Sequence, residues 1–197
     1  VLLATMAVAS AGCASGSGIT SILSKVPDDT VQLTYVNVKT LRNDANLDDL
    51  YDAWKAKVDS RLEAHGISPD DVSAFASNEA AQKRFTLLTG KFDMDEIRED
   101  LGDLHFNEDD YKGVEIWERE MGWVADLDYQ VALMGDLIIM GDQSGVESCI
   151  KVIKAGDASW LSKADINDVA NRLPGGLYML IGKQATGFSF GGLEAFG

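Results

Sequence analysis

"VALMGDLIIM" (Val131–Met140) consists of two apolar runs separated by Gly135-Asp136. A glycine-first pair in this position predicts a tight type II′ hairpin, because glycine takes the positive φ of the first turn position without a steric cost. The stretch therefore reads as two antiparallel strands. The period then changes. Ser144 and Glu147 have capping-box spacing, and Val146, Cys149, Ile150 and Ile153 repeat at i, i+3, i+4, i+7, which predicts a helix stopped by Gly156. On that stripe Cys149 behaves as a small buried hydrophobe.

A strand followed by a capped helix recurs outward from this point. Arg84–Gly90, "RFTLLTG", reads as a strand. Asp93 and Glu96 then form a capping box for a helix whose apolar stripe is Met94, Ile97, Leu101 and Leu104. "LTGKFDMDEI" and "IMGDQSGVES" echo one another, and "LIGKQ" near the end repeats the theme faintly. Upstream, "VQLTYVNV" (Val31–Val38) alternates apolar and polar as a half-buried strand does, behind a turn at Pro27-Asp28-Asp29. Leu47, Leu50, Tyr51, Trp54, Val58 and Leu62 keep helical spacing and predict a helix from Leu47 to Ala64, capped by Asn46 and stopped by Gly66. Ser68-Pro69-Asp70-Asp71 opens a short helix, and "GVEIWE" from Gly113 is another alternating strand. Ser162 and Asp165 start a helix with stripe Ile166, Val169 and Leu173, and Leu177–Ile181, "LYMLI", is the last strand. Strands alternating with helices, with a hairpin among them, give the expected class: α+β, a largely antiparallel sheet with helices packed on it, with βαβ-type units plus a β-hairpin.

The chain has 197 residues, enough for a single domain with a sizeable core. Its 17 Lys and Arg against 32 Asp and Glu leave a formal charge of −15, a surface that repels nucleic-acid phosphates and anionic headgroups. No nucleic acid is expected as a partner; the bland role of such charge is solubility.

The two cysteines are placed differently. Val1–Gly12 is uncharged and too short to span a bilayer, which takes about 20 residues. It matches the later half of a secretory signal, an apolar stretch ending in small residues. "VASAGCASGSG" (Val8–Gly18) resembles the lipobox of bacterial lipoproteins, with Ala11 and Gly12 before the cysteine and Ser10 where that pattern usually has leucine. The resemblance implies that Cys13 carries diacylglycerol and becomes the mature N-terminus, anchoring the protein to a membrane outside the cytoplasm. Residues 1–12 are then a signal-peptide remnant, 13–25 the anchor and a flexible Gly/Ser tether, and 26–197 one α+β domain. The missing n-region and the glycine-rich "GFSFGGLEAFG" suggest a chain cut short at both ends. A Cys13–Cys149 disulfide is not expected.

"KVPDDTVQLTYVNVKTL", "LLTGKFDMDEIREDL", "YKGVEIWE", "MGDLIIMGDQSGVESCIKVIK" and "NRLPGGL", in this order, resemble a family of uncharacterised secreted or lipid-anchored bacterial proteins. The likeness runs from about Lys25 to Leu177. It implies an extracytoplasmic α+β domain and supplies no catalytic residues.

Sharper site readings fail on spacing. Asp44-Ala45-Asn46-Leu47-Asp48 starts like a calcium loop, but Asp49 replaces the required glycine and Lys55 the bidentate glutamate. Asn107-Glu108-Asp109-Asp110 reads as a solvated acidic turn. Gly90-Lys91 is followed by Phe92, without the Ser or Thr of a phosphate loop. His65 lies at a helix C-terminus, where the dipole favours a cation, and His105 near the end of another helix. Neither has the neighbours of a triad or a zinc site. Trp117, Trp123 and Trp160 read as packing, and Trp54 as part of a core stripe. No metal, cofactor or catalytic residue is assigned. Two readings follow: a non-catalytic, lipid-anchored envelope protein that binds an unknown protein or small-molecule ligand or acts structurally, or a hydrolase-type enzyme built from scattered carboxylates such as Asp109, Asp110, Glu115 and Asp142.

Overall fold

The computed structural model describes residues 17–79, 83–119, 129–172 and 178–182. Its centre is one sheet of eight strands: β1 (Gln32–Val36), β2 (Val72–Asn78), β3 (Phe85–Gly90), β4 (Asn107–Tyr111), β5 (Val114–Arg119), β6 (Tyr129–Met134), β7 (Leu137–Asp142) and β8 (Tyr178–Gly182). They lie in the order β4-β5-β6-β7-β3-β2-β1-β8, and every registered pair is antiparallel. This is the α+β class expected. The strand–helix units are present, with their strands joining the sheet antiparallel to their neighbours.

The Gly135-Asp136 hairpin forms as the sequence predicts. Met134 pairs with Leu137, Gly135 has φ +68°, and Asp136 stays at negative φ, the signature of a type II′ turn. A second two-residue hairpin joins β4 to β5, where Lys112 and Gly113 are both at positive φ (56° and 73°), as a type I′ turn requires.

Both faces of the sheet are covered, so β7 is a continuous apolar run instead of an alternating one. Leu137 and Ile139 face a core formed with α1 (Ser17–Leu23), α5 (Gln143–Ile150) and α6 (Ala164–Arg172). Ile138 and Met140 face a second core formed with α2 (Val38–Asn43), α3 (Asp48–Glu63) and α4 (Met94–Asp103). Each of these β7 side chains is at most 3% exposed, burial that contributes about 2 kcal/mol apiece.

Several expectations need correction. The tether is shorter than residues 13–25: α1 begins at Ser17, and Ile19, Ile22 and Leu23 are buried at i, i+3, i+4. Asn46 does not cap α3. Asp44 accepts from the Asn46 N–H and caps a short 3-10 turn, Ala45–Leu47, which leads into the helix. α5 is capped by Asp142 instead of Ser144; its carboxylate accepts the Gly145 N–H at 2.7 Å and the Ser144 hydroxyl at 3.1 Å. The helix widens into a π segment at Lys151–Ala155 before stopping at Gly156, φ +72°. Ser68 does cap a 3-10 turn, but Pro69–Asp71 runs directly into β2, a strand hidden by its Ala and Ser content. Asn107–Asp110 is edge strand β4 and not a turn. Cys13, Trp123, Leu173 and Leu177 lie outside the described residues. Among the described residues no helix is long and apolar enough to cross a membrane.

Candidate functional site

The four carboxylates offered as an acid–base set do not converge. Asp110 and Glu115 are direct cross-strand partners on β4 and β5, while Asp109 pairs with Ile116 and projects from the opposite face. Asp142 ends β7 beside Tyr129, four ladder steps from Ile138, a residue level with Glu115 through Leu133.

Each acid already has structural partners. Arg98 of α4 grips Glu115 with both arms, Nε to Oε1 at 2.8 Å and Nη2 to Oε2 at 2.9 Å, and the Trp117 indole donates to Oε1 at 2.8 Å. These bonds, the Arg98 fork foremost, hold the Glu115 carboxyl below the usual glutamate range. Asp110 Oδ1 accepts the Gly113 N–H at 3.0 Å and steadies the hairpin. Asp109 Oδ1 accepts the Asp110 N–H at 2.8 Å. In the ladder phase of this hairpin that N–H points away from β5, so the Asp109 side chain blunts the exposed edge. Asp142 caps α5 and also accepts the Arg84 backbone N–H at 2.9 Å.

His65, Trp117 and Trp160 are packing groups. His65 Nδ1 donates to the Arg61 carbonyl at 2.8 Å, and its ring stacks on Tyr129 at 5.0 Å and meets Phe106 edge-on at 5.9 Å. Burial, with the nearby Arg61 and Arg119 charges, pushes its pKa down. His105, at φ 63°, takes the left-handed position that ends α4. Trp117 and Trp160 are buried at 9% and 3% exposure. Cys149 is fully buried, and desolvation pushes its thiol pKa strongly up. Among the described residues no group of three or more His, Cys, Asp or Glu could hold a metal.

Sequence reasoning missed a crevice between α3 and strands β1–β3. Its floor is a row of hydroxyls on three adjacent strands: Thr34 pairs with Ser77, and Ser77 with Thr86, the Ser77 and Thr86 oxygens 3.2 Å apart. Ser77 and Thr86 are only 3% and 1% exposed. Apolar walls come from Val36, Val58 and Phe75, and the open volume is about 70 Å³. Trp54 lines the crevice at 4% exposure, and its Nε1 is buried with no acceptor among the described residues. Lys57, Arg61 and Glu79 also line it; Arg61 and Glu79 are paired at 3.5 Å and roughly half exposed. The one sequence signal was polar residues at inward positions of three strands, invisible until the strands are paired.

No family model, curated protein or solved structure matches the chain.

Proposed function

We propose that this chain is a non-catalytic binding domain of the bacterial envelope, held outside the cytoplasm by a lipid anchor on Cys13. The non-catalytic part is carried by Glu115. It is the one of the four acids, partly buried, that lies beside another, yet both its oxygens are taken by Arg98 and its pKa is depressed. A hydrolase acid needs the reverse, a proton retained near neutral pH and a face open to substrate. The placement rests on the small-residue stretch before Cys13 and on the likeness to secreted or lipid-anchored bacterial proteins. Because α1 begins at Ser17, four residue steps separate the anchor from the fold, a reach of about 14 Å at most. The domain then rides close to the lipid surface, and several acyl chains make such an attachment stable.

The test is expression of the full-length precursor in bacteria. Detergent partitioning and diacylglycerol on Cys13 by mass spectrometry are expected, and Cys13→Ala releases the protein to the soluble fraction. A mature N-terminus elsewhere, without modification, refutes the anchor.

A further inference from the structure

The crevice under α3 is unusual in its chemistry. A helix packed on a sheet normally meets an apolar floor, and here three hydroxyls stand in a row beneath it. The Ser77–Thr86 hydrogen bond uses one hydroxyl proton and leaves the other hydroxyl with a hydrogen to give. The Trp54 indole is a pure donor, buried and without an acceptor among the described residues. Leaving such a group unsatisfied is costly, so a matching acceptor gains more here than in water. A further pure donor, Arg61, lines the crevice in a protein whose overall charge is strongly negative. The opposing group is Glu79, whose contact with Arg61 is long and exposed, 3.5 Å with 52% of the Glu79 side chain in solvent, so it can swing away.

We propose that this crevice binds a small organic carboxylate. The donors call for an acceptor, the Arg61 guanidinium for negative charge, and Val36, Val58 and Phe75 for a short alkyl portion. A space of about 70 Å³ admits a molecule of propionate size and excludes a drug-sized ligand, whose pockets run to hundreds of Å³. The carboxylate takes the spare hydroxyl hydrogen and, once a side-chain shift uncovers it, the indole N–H, with Arg61 supplying the charge. This rests on the binding reading above but not on the anchor.

The experiment uses the full chain carrying Cys13→Ala, so the result is independent of lipidation. Sodium propionate is titrated against matched sodium chloride, followed by calorimetry and by the indole resonances in NMR. Saturable binding with a dissociation constant of roughly 0.1–1 mM is expected for so few atoms. Arg61→Gln, at a half-exposed position, weakens it about tenfold, and Trp54→Phe, which keeps one aromatic ring but removes the donor, does likewise. Neutral propionamide binds about tenfold more weakly than propionate. The proposal is overturned by the absence of a saturable shift up to tens of millimolar, by binding that neither variant weakens, or by a crevice that holds water only.

Discussion

Arg98 lies across Glu115 with two hydrogen bonds and reaches Asp95 with a third at 2.7 Å. The fork holds α4 against β5 and neutralises the Asp110–Glu115 pairing, where two like charges would otherwise repel across the ladder. Arg98→Met keeps the aliphatic stem and removes the fork. Because the Arg98 side chain is 40% exposed, solvent screening limits the loss to about 1 kcal/mol at neutral pH. The pH dependence follows from the depressed pKa of Glu115. Its contribution is complete above the unfolded glutamate value, about 4.3, and is lost as pH falls through the lower folded value. Urea melts of both proteins are therefore expected to differ at pH 7 and to converge towards pH 3. A gap that persists undiminished at pH 3 would assign the loss to packing.

Helices α4 and α5 each contain one glycine whose role their backbones decide. Gly102, in the last turn of α4, has nothing within 4 Å of where a Cβ would sit. Gly102→Ala is expected to stabilise by about 0.5–1 kcal/mol through helix propensity and a less free unfolded chain. Gly145, in the first turn of α5, is buried against the β3 approach; a Cβ there would lie 2.3 Å from the Arg84 carbonyl oxygen and 2.9 Å from the Asp142 cap. Gly145→Ala must push backbone aside and is expected to destabilise by about 1–3 kcal/mol despite the better propensity. Denaturation midpoints moving in opposite directions check the pair; two shifts of the same sign would refute it. Gly141, with its Cβ position 2.2 Å from the same carbonyl, shows why the "MGDQSG" stretch carries glycine on both sides of its capping aspartate.

Across the whole molecule the dominant feature is charge, −15 formally, on a fold with two full cores. Self-repulsion opposes compaction, and salt relieves it within a Debye length of about 8–10 Å at physiological ionic strength. Sodium chloride is expected to raise the melting temperature slightly. Magnesium and calcium chloride at matched ionic strength are expected to give the same curve, since a specifically bound ion would stabilise beyond screening. A calcium-specific rise of several degrees would place a cation site on the acidic surface.

Local physics is legible in the chain itself. Gly135-Asp136, Asp93 with its helix, the Gly66 and Gly156 stops and the buried stripe of Cys149 depend on neighbours a few residues away, so the amino-acid order alone determined them. Elements against their composition were hidden: β4 is all polar apart from Tyr111, β2 is rich in Ala and Ser, and α1 starts in a Gly/Ser tract, each held by tertiary contacts that outweigh propensity. Asp142 displaced Ser144 as a cap because the Arg84 backbone sits beside it, a neighbour distant in sequence. The candidate crevice belongs wholly to the tertiary level. Thr34, Ser77, Thr86 and Trp54 come from three strands and a helix, and only the strand order β3-β2-β1 and the packing of α3 across it bring their donors together. Pairing order is set by burial of both sheet faces at once, a condition on the whole chain that no single segment encodes.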